Sequence, residues 1–307
     1  TIEGLGGNDL IDFSASPEAV TVNLFRGSGL GGFAEGDVLS SVENVNATPA
    51  SDRIVGSNFA NVIDGGEGND VLLGRPGDDA IDGSGGADEI SGGEGSDSLK
   101  GGSGPDTLRG GDGSDTLNGE GGADTLYGGS GDDLLQGRNS DDLLFGGTGS
   151  DMLFGGDGPD TLDGGPGADT LSGGSFSDFI SGGAGDDVIE GGLGADDLSG
   201  NAGRDLFVFE TLAESAATAP DRVRDFQSGR DRVDLITIDA NMSASGDQAF
   251  TFLGSADFTG SGGELRAQSD PGSGDTRVEA DLDGDLSADL VIIIDGLQNL
   301  SADDFIL

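Results

Sequence analysis

An unbroken nine-residue period runs from Gly65 to Val208 and constrains this chain more than any other feature of its sequence. The period comprises sixteen consecutive nonads with no insertion or deletion between them. Position 1 is Gly and position 6 is Asp in every nonad, and position 8 is always apolar, beginning with Leu72 and ending with Phe207. Sixteen in-phase copies predict a solenoid, in which each repeat buries its apolar side chain against its neighbours.

The residue types within one nonad divide it into a turn and a strand. Gly recurs at positions 1, 2 and 4, which predicts a turn over the first six positions, where Gly can supply a positive φ. Positions 7 to 9 then form a short strand, and position 8 alone makes the inner layer. The four prolines of the array, Pro76, Pro105, Pro159 and Pro166, all fall in the turn half. Two nonads make one 18-residue coil, and we predict an all-β parallel β-roll of the right-handed β-helix type with a C-terminal β cap.

The charge of the chain determines which ligand such a roll can hold. Acidic residues number 59 against 13 basic ones, and the formal net charge is -46. Position-6 carboxylates stacked ~4.8 Å apart repel by ~1 kcal/mol per pair in water and by several times more at lower effective dielectric. Because His and Cys are absent, the usual zinc, copper and iron–sulfur ligands are missing, whereas an all-oxygen site suits Ca²⁺. We therefore expect the metal-free array to be largely unfolded.

The repeat resembles the RTX (hemolysin-type) calcium-binding nonapeptides of secreted bacterial proteins, and GGEGNDVLL at 65–73 fits their consensus GGxGxDxUx. The resemblance implies that the carbonyls of positions 2 and 4 and the Asp of one nonad face the carbonyls of positions 1 and 3 and the Asp two nonads later. Seven gaps on each side then give roughly fourteen calcium sites. The predicted metal ligands are Asp70, Asp79, Asp88, Asp97, Asp106, Asp115, Asp124, Asp133, Asp142, Asp151, Asp160, Asp169, Asp178, Asp187, Asp196 and Asp205.

Two acidic residues before the array are possible additional ligands. Asp9 is at position 6 of an isolated copy of the repeat, residues 4–12. Asp52 is at position 6 of a degenerate copy, residues 47–55, which matches the consensus only in part. Asn61 takes the same place in a second degenerate copy, residues 56–64.

The two columns of turns differ in sequence. Five replacements of Gly fall in odd-numbered nonads, and two fall in even-numbered ones. The odd set is Ser84, Glu120, Arg138, Ser140 and Phe176, and the even set is Arg75 and Asn201. This imbalance predicts weaker calcium binding on the odd side.

The flanks suggest three domains: residues 1–46 as the isolated repeat with a β insertion, 47–208 as the roll, and 209–307 as a C-terminal β domain. The last region resembles the domain that follows the repeats in serralysin-type proteases, through FVFETLAES, DRVRDFQSGRDRVDL and NLSADDFIL. Its terminus, Asp304 followed by Phe305, Ile306 and Leu307, resembles the acidic and apolar end of type I secretion substrates. The resemblance implies a secretion signal read by the type I machinery.

Two polar clusters of the C-terminal region leave alternatives open. Asp281, Asp283, Asp285 and Asp289 have the carboxylate spacing of a calcium loop, but Ile292 stands where an EF-hand has Glu, so an acidic β-turn explains them equally well. The second cluster alternates with Asp, which favours a salt-bridged hairpin over a polyanion site. It consists of Arg222, Arg224, Arg230 and Arg232.

A third cluster is apolar and faces outward from the roll. Its members are Tyr127, Leu134, Leu143, Phe145, Met152 and Phe154. We expect residues 13–46 or the C-terminal region to cover them, rather than a ligand or a second subunit.

These features predict a secreted or cell-surface calcium module that is threaded out unfolded and folds outside, supporting export and stability of a larger protein. The chain opens without Met inside a Gly-rich motif, so we expect it to be part of something longer. The alternatives are a module binding polysaccharide or another cell-surface ligand, as in alginate epimerases or adhesins, or the C-terminal part of a secreted metalloprotease or lipase. No HExxH, GxSxG or His is present, which argues against catalysis in these residues. The negative charge argues against nucleic acid, and no apolar stretch approaches a membrane span.

Overall fold

The structure is a computed structural model and describes residues 2–4, 7–240 and 248–307. The chain divides into two compact units, Thr1–Gly156 and Asp157–Leu307, and each is described by itself. The described residues of both units form short β-strands with one single-turn 3-10 helix each, Gly32–Ala34 in the first unit and Ala302–Asp304 in the second. The predicted all-β parallel β-roll is confirmed in each unit. The described residues include no helix of the length and apolar character needed to cross a membrane.

One nonad contributes a longer strand than the sequence predicts. The strand Glu89–Glu94 covers positions 7 to 9 of its nonad and positions 1 to 3 of the next, and most strands of the array follow this pattern. The prediction of a turn over six positions is therefore wrong, because positions 1 to 3 pair with the neighbouring coil, as Gly93 does with Arg75. Only positions 4 to 6 remain as the turn. Pro76 is accepted as the last residue of its strand.

The strands of the first unit form two ladders and a small separate sheet. Their bounds are β1 Ile2–Glu3, β2 Leu10–Asp12, β3 Thr21–Asn23, β4 Ser28–Leu30, β5 Leu39–Ser40, β6 Asn44–Asn46, β7 Arg53–Val55, β8 Val62–Asp64, β9 Val71–Pro76, β10 Ala80–Asp82, β11 Glu89–Glu94, β12 Ser98–Ser103, β13 Thr107–Asp112, β14 Thr116–Gly121, β15 Thr125–Ser130, β16 Leu134–Asn139, β17 Leu143–Thr148 and β18 Met152–Asp157. Strands β2, β6, β8, β10, β12, β14 and β16 pair in parallel in that order. The other ladder begins with the antiparallel pair β4–β3 and continues in parallel through β7, β9, β11, β13, β15 and β17.

The insertion before the array takes part in both ladders. Val22 of β3 pairs with Ile54 in one, and Val45 of β6 pairs with Ile63 in the other. Both valines are completely buried, as the position-8 residues are. The insertion thus supplies inward-facing residues to the same stack although it lacks the nine-residue period.

The second unit continues with β19 Thr161–Pro166, β20 Thr170–Ser175, β21 Phe179–Ala184, β22 Val188–Leu193, β23 Asp197–Ala202, β24 Leu206–Val208, β25 Asp221–Val223, β26 Arg232–Asp234, β27 Thr251–Phe252, β28 Glu264–Asp270, β29 Asp275–Asp281, β30 Leu290–Ile294 and β31 Phe305–Ile306. One parallel ladder is β20, β22, β24, β26 and β31. The other is β19, β21, β23, β25 and β30, to which β29 and β28 add antiparallel strands. The ladders thus cross position 208, and the division into three domains stays a prediction.

The interior of the coils contains more than the predicted inner layer of position 8. Every position-8 side chain is buried, but so are the position-1 glycines and the position-6 aspartates. An added Cβ at Gly65 would lie 2.6 Å from Asp70 Oδ2 and 3.0 Å from the carbonyl oxygen of Gly83 one coil later. Position 1 is therefore Gly because its Cα faces the carboxylate of its own nonad, which leaves no room for a side chain.

The outward apolar cluster is not covered as predicted. Tyr127 is 38% exposed and Met152 is 46% exposed, and Leu143 is exposed to a similar degree. Tyr127 and Phe145 instead stack on each other from adjacent strands, with ring centroids 5.1 Å apart. Cross-strand stacking explains why these residues recur at the same position of successive coils.

Candidate metal centre

The position-6 aspartates stack in register along each ladder. Through most of the array the backbone N–H of an Asp donates to Oδ1 of the Asp 18 residues later, for example 2.8 Å from Asp88 N to Asp106 Oδ1. The carbonyl of the same residue accepts from the first strand residue of the next coil, 2.8 Å from Thr107 N. These two hydrogen bonds place one carboxylate above the next, as the period predicts.

The second carboxylate oxygen, Oδ2, is buried, and in most of the array it accepts no hydrogen bond from any described residue. The aspartates in this state are Asp70, Asp79, Asp88, Asp97, Asp106, Asp115, Asp124 and Asp133 in the first unit and Asp178, Asp187, Asp196 and Asp205 in the second. Each of these residues is at most 3% exposed. Leaving a buried anionic oxygen without a partner costs several kcal/mol, so each Oδ2 requires a proton or a cation.

Backbone carbonyls also face the gap between successive coils. The position-1 glycine next to Asp70 Oδ2 lies beside the carbonyl oxygen of Gly83, one coil later. At positions 2 and 4, the carbonyl of one coil points at the Cα of the equivalent Gly in the next, as Gly93 does toward Gly111 and Gly77 toward Gly95. Buried carboxylate oxygens with a backbone carbonyl beside them are oxygen donors of the kind that Ca²⁺ prefers, and the stacked aspartates fit calcium binding.

Burial has a large effect on the ionisation of these carboxyls. It raises the pKa of Asp79 to about 7 and that of Asp178 to about 8, against the lowering effect of the backbone N–H and with a further contribution from neighbouring carboxylates. The pKa of Asp97 rises to about 6 for the same reasons. A column of such groups therefore holds charge at neutral pH only against a strong electrostatic penalty.

At the N-terminal side of the array the columns end in residues whose side-chain oxygens already accept backbone hydrogen bonds, and we call these ends closed. Asp52 Oδ2 accepts the backbone N–H of Thr48 at 2.6 Å, and Asn61 Oδ1 accepts that of Ser57 at 2.7 Å. In both cases the donor lies four residues before the acceptor and occupies the oxygen that stays open in the array. Asp52, predicted as a possible ligand, is thus already satisfied by the backbone.

Asp9 has the opposite arrangement. Its Oδ2 is buried and accepts no hydrogen bond from a described residue, while its N–H donates to Glu43 Oε2 at 3.0 Å. Glu43 is a residue that the sequence patterns missed; the motif Glu–Asn–Val at 43–45 matches positions 6 to 8 of a nonad and could have indicated it. Residues 5 and 6 of this isolated copy lie outside the described part of the chain.

At the C-terminal side the columns continue beyond the last nonad. Asp196 N donates to Asp221 Oδ1 at 2.8 Å, and Asp205 N donates to Asp231 Oδ1 at 3.1 Å. Asp221 and Asp231 were not predicted as site residues. The signal was present, because each is followed by Arg and Val in the order of positions 6 to 8.

The acidic loop of the C-terminal region brings three of its four predicted residues together. Carboxylate oxygens of Asp281, Asp283 and Asp285 lie within 4.8 Å of one another. Asp289 lies apart from this group and accepts the N–H of Leu282. Asp281 is buried and its two oxygens accept backbone N–H groups of the loop, so an acidic turn accounts for this geometry as well as a cation does.

The predicted arginine hairpin is wrong. Arg222 lies on β25 and Arg232 on β26, and these strands belong to different ladders. Arg222 forms ion pairs with Asp275 and Asp295 instead of with its neighbours in sequence. The alternation of Arg and Asp in the sequence could not reveal these ion pairs, because the partners of Arg222 lie more than 50 residues away from it.

The seven replacements of Gly in the turns all keep a positive φ. In the odd-numbered nonads Arg138 has φ of 86°, Ser140 of 84° and Phe176 of 80°. Such angles cost a non-Gly residue about 1 kcal/mol or more. The backbone strain is therefore concentrated on the side predicted to bind calcium more weakly, and the weaker binding itself stays a prediction.

Comparison with known proteins places the chain in a family. A family model described as "Peptidase M10 serralysin C terminal" matches residues 1–307. A segment of 86 residues is 36% identical to "Metalloprotease AprA" of Pseudomonas entomophila, and it covers 28% of this chain and 17% of that protein. The matched segment thus spans about a sixth of the length of that relative.

Two solved structures show limited similarity. The AlgE6R2 subunit of the Azotobacter vinelandii mannuronan C5-epimerase is 21% identical with a TM-score of 0.32, over 55% of this chain and 92% of that one. The AlgE6R3 subunit of the same enzyme is 21% identical with a TM-score of 0.23, over 57% and 78%. Since the family model covers every residue and the stacked Asp-rich coils agree with it, this chain belongs to the peptidase M10 serralysin C-terminal family.

Proposed function

We propose that this chain is a calcium-dependent folding module, whose coils assemble when Ca²⁺ occupies the columns of position-6 aspartates. The observation that carries the proposal is the buried Oδ2 atom without a hydrogen-bond donor among the described residues, found in the eight aspartates from Asp70 to Asp133 and again in the four from Asp178 to Asp205. The proposed ligands are the sixteen repeat aspartates named above with the turn carbonyls between them.

Energetics favour a cation as the missing partner. Each column places buried anions above one another, and the net charge of -46 leaves few basic groups to compensate them. A ligand that binds only the folded state stabilises it by about 1.4 kcal/mol per site at tenfold saturation. Over roughly fourteen sites this amounts to about 20 kcal/mol, more than the net stability of a typical domain.

We propose further that this dependence serves type I export to the cell exterior or cell surface. At low calcium the chain stays unfolded and can be threaded, and at higher extracellular calcium it folds. The arrangement of the last residues supports this. Phe305 pairs with Val233 in the ladder, and Asp304 is fully buried, with Oδ1 accepting the N–H of Gly229. Because these terminal residues are buried and paired in the folded chain, the type I machinery could bind them only before the chain folds.

The module would act within a larger secreted protein, and we propose no catalysis by these residues. Residues 47–208 would be the roll, preceded by a β insertion and followed by a terminal β domain. A metalloprotease or lipase partner domain fits the family and the absence of His from this chain.

Circular dichroism and size-exclusion chromatography with millimolar Ca²⁺, millimolar Mg²⁺ or excess chelator test the folding proposal. We expect β-sheet signal and compaction with Ca²⁺ alone, because Mg²⁺ demands tighter geometry and dehydrates reluctantly. A compact, cooperative protein in chelator would refute the proposal. For export, a reporter fused upstream should be secreted by a type I system, and deletion of residues 304–307 should abolish its secretion. Because these residues pair with β26, the deletion should weaken the C-terminal region, whereas the calcium-induced β-sheet signal of the array should remain. Secretion that persists after the deletion would refute the proposed signal.

A glycan-binding module remains the second candidate, and one observation favours it. Tyr127, which is 38% exposed, stacks on the half-buried Phe145, and the guanidinium of Arg109 lies over the Tyr127 ring, 5.3 Å from its centroid. Exposed rings stack on sugars, and Arg pairs with acidic groups. Calcium-loaded protein titrated with an acidic polysaccharide decides the matter. Binding that Tyr127→Ala abolishes and Leu134→Ala leaves unchanged would support this candidate, and no binding by the unaltered chain would exclude it for that glycan.

A further inference from the structure

The odd column of aspartates does not end with the last nonad. Asp221 follows Asp196 by 25 residues instead of 18, across a segment that lacks the repeat motif. Asp196 N nevertheless donates to Asp221 Oδ1 at 2.8 Å, the same distance as from Asp88 to Asp106. The next strand residue also repeats the array, with Arg222 N donating to the Asp196 carbonyl at 2.8 Å.

The two carboxylates at this step are buried, and each keeps an oxygen without a hydrogen-bond donor. Asp221 is 0% exposed and Asp196 is 2% exposed. The Oδ2 atoms of both accept no hydrogen bond from any residue that the structure describes. This distinguishes the step from the closed N-terminal ends, where the N–H of Thr48 occupies Asp52 Oδ2.

The surrounding charges are acidic. Burial raises the pKa of Asp221 to about 8, and the charges of Asp196 and Glu214 add to the rise, against the lowering effects of the Asp196 backbone N–H and the Ser215 hydroxyl. Glu214 is 5% exposed and accepts the N–H groups of Glu210 and Thr211.

No basic side chain compensates this group among the described residues. Arg222, the adjacent residue, directs its guanidinium to Asp275 and Asp295 on the outer side of the strand. The carboxylates of Asp196, Glu214 and Asp221 are thus buried near one another without a basic side chain to balance their charge. Burying them in the charged form is unfavourable unless a cation binds there.

We propose that the step from Asp196 to Asp221 is a further calcium site, outside the nonads, that fastens the C-terminal region to the array. The inference rests on the proposed function, since the same kind of ion would occupy the array. Its ligands would include both carboxylates, with Glu214 close enough to contribute charge. The ion would also stabilise β30, because Leu290–Ile294 pairs in parallel with β25, which begins at Asp221.

The even column differs at the corresponding step. Asp231 Oδ2 accepts the N–H of Gln227 at 2.7 Å, and the Arg230 cation acts on Asp231 to lower its pKa, although burial raises it overall. Because Asp231 already has a second donor and a counter-charge, the proposal is confined to Asp196 and Asp221.

The test is an anomalous difference map from crystals of the full chain grown with calcium. We expect peaks at the array steps and one between Asp196 and Asp221, and none between Asp52 and Asp70. Peaks in the array with an empty Asp196–Asp221 step would overturn this inference and leave the proposed function standing. A map without any peak between coils at saturating calcium would overturn both.

Hydrogen exchange in solution gives an independent measurement. In calcium, Asp221→Asn should raise the exchange rates of amides in Leu290–Ile294 by at least about tenfold while strands such as Thr116–Gly121 stay protected. The matched control is Asp225→Asn, which removes the same charge four residues away from a carboxylate that accepts two backbone N–H groups. In the anomalous map of the Asp225→Asn variant, the calcium peak between Asp196 and Asp221 should persist. Loss of that peak in both variants, or in neither, would contradict a specific role of Asp221.

Discussion

Asp97 and Asp115 lie one above the other, with the N–H of the first 2.7 Å from Oδ1 of the second. This hydrogen bond satisfies Oδ1 of Asp115, as the N–H of Asp79 satisfies Oδ1 of Asp97, and the Oδ2 atoms of both aspartates stay buried without a donor among the described residues. The pairing brings like charges together, so the hydrogen bond alone does not explain the stability of the column. A cation between the coils accounts for both features, and the following predictions depend on it.

Replacing one ligand in mid-column should weaken calcium-induced folding. Asp115→Asn keeps Oδ1 as an acceptor but removes a charge shared by two successive sites. We expect the calcium concentration at the midpoint of folding to rise by roughly two- to tenfold. Circular dichroism during a calcium titration measures this midpoint. Asp163→Asn, an exposed residue at the outward position 9 of its nonad, is the matched control and should leave the midpoint nearly unchanged. Equal effects of the two variants would mean that net charge, not the site, is responsible.

Glycine at position 1 should be irreplaceable even by alanine. A Cβ at Gly119 would collide with Asp124 Oδ2 and lie 3.0 Å from the carbonyl oxygen of Gly137, whereas a Cβ at Gly121 has its nearest neighbour, the carbonyl oxygen of Gly102, at 3.9 Å. We expect Gly119→Ala to destabilise the calcium-bound protein by about 2–4 kcal/mol or to prevent folding. Gly121→Ala should be neutral or slightly stabilising, because it restricts the unfolded chain. Thermal unfolding at fixed calcium compares them, and similar melting temperatures would contradict the crowding at position 1.

Relief of backbone strain should stabilise the odd side. Arg138 has φ of 86° and its side chain contacts Gln136 on the surface. Arg138→Gly should therefore raise stability by about 1 kcal/mol and increase calcium occupancy at the neighbouring odd-side steps. Gln136→Gly, within the strand, should lower stability by a similar amount. Denaturant titration in calcium measures both effects, and destabilisation by Arg138→Gly would show that the side chain matters more than the strain.

Acid should partly replace calcium. Burial raises the folded-state pKa of Asp79 and Asp106 to about 7, above the unfolded value of 3.8. The folded metal-free state therefore binds more protons than the unfolded chain between about pH 4 and 7, and its stability increases as pH falls through that range. In excess chelator we expect more β-sheet signal at pH 5 than at pH 8. With calcium the opposite trend should hold, because protons compete for Oδ2. An unchanged chelator spectrum over this range would argue that the carboxyls are not buried in the metal-free chain.

The sequence by itself determined the repeating part of this protein. A strict nine-residue spacing of Gly, Asp and an apolar residue allows only one register, so the inward position from Leu72 to Phe207 and the stacking of the carboxylates followed from counting. The length of the strands did not follow, because ladder pairing extended them through positions that a Gly-rich motif marks as turn.

Only the tertiary structure decided where the columns begin and end. Val45 and Val223 join the ladders through irregular connections, where packing against Ile63 and Leu198 sets the register that no period encodes. The same packing places a backbone N–H against Asp52 but none against Asp221 Oδ2 among the described residues. Whether a carboxylate oxygen accepts a backbone hydrogen bond or stays without a donor depends on contacts between segments distant in the chain. Composition and residue spacing do not predict it.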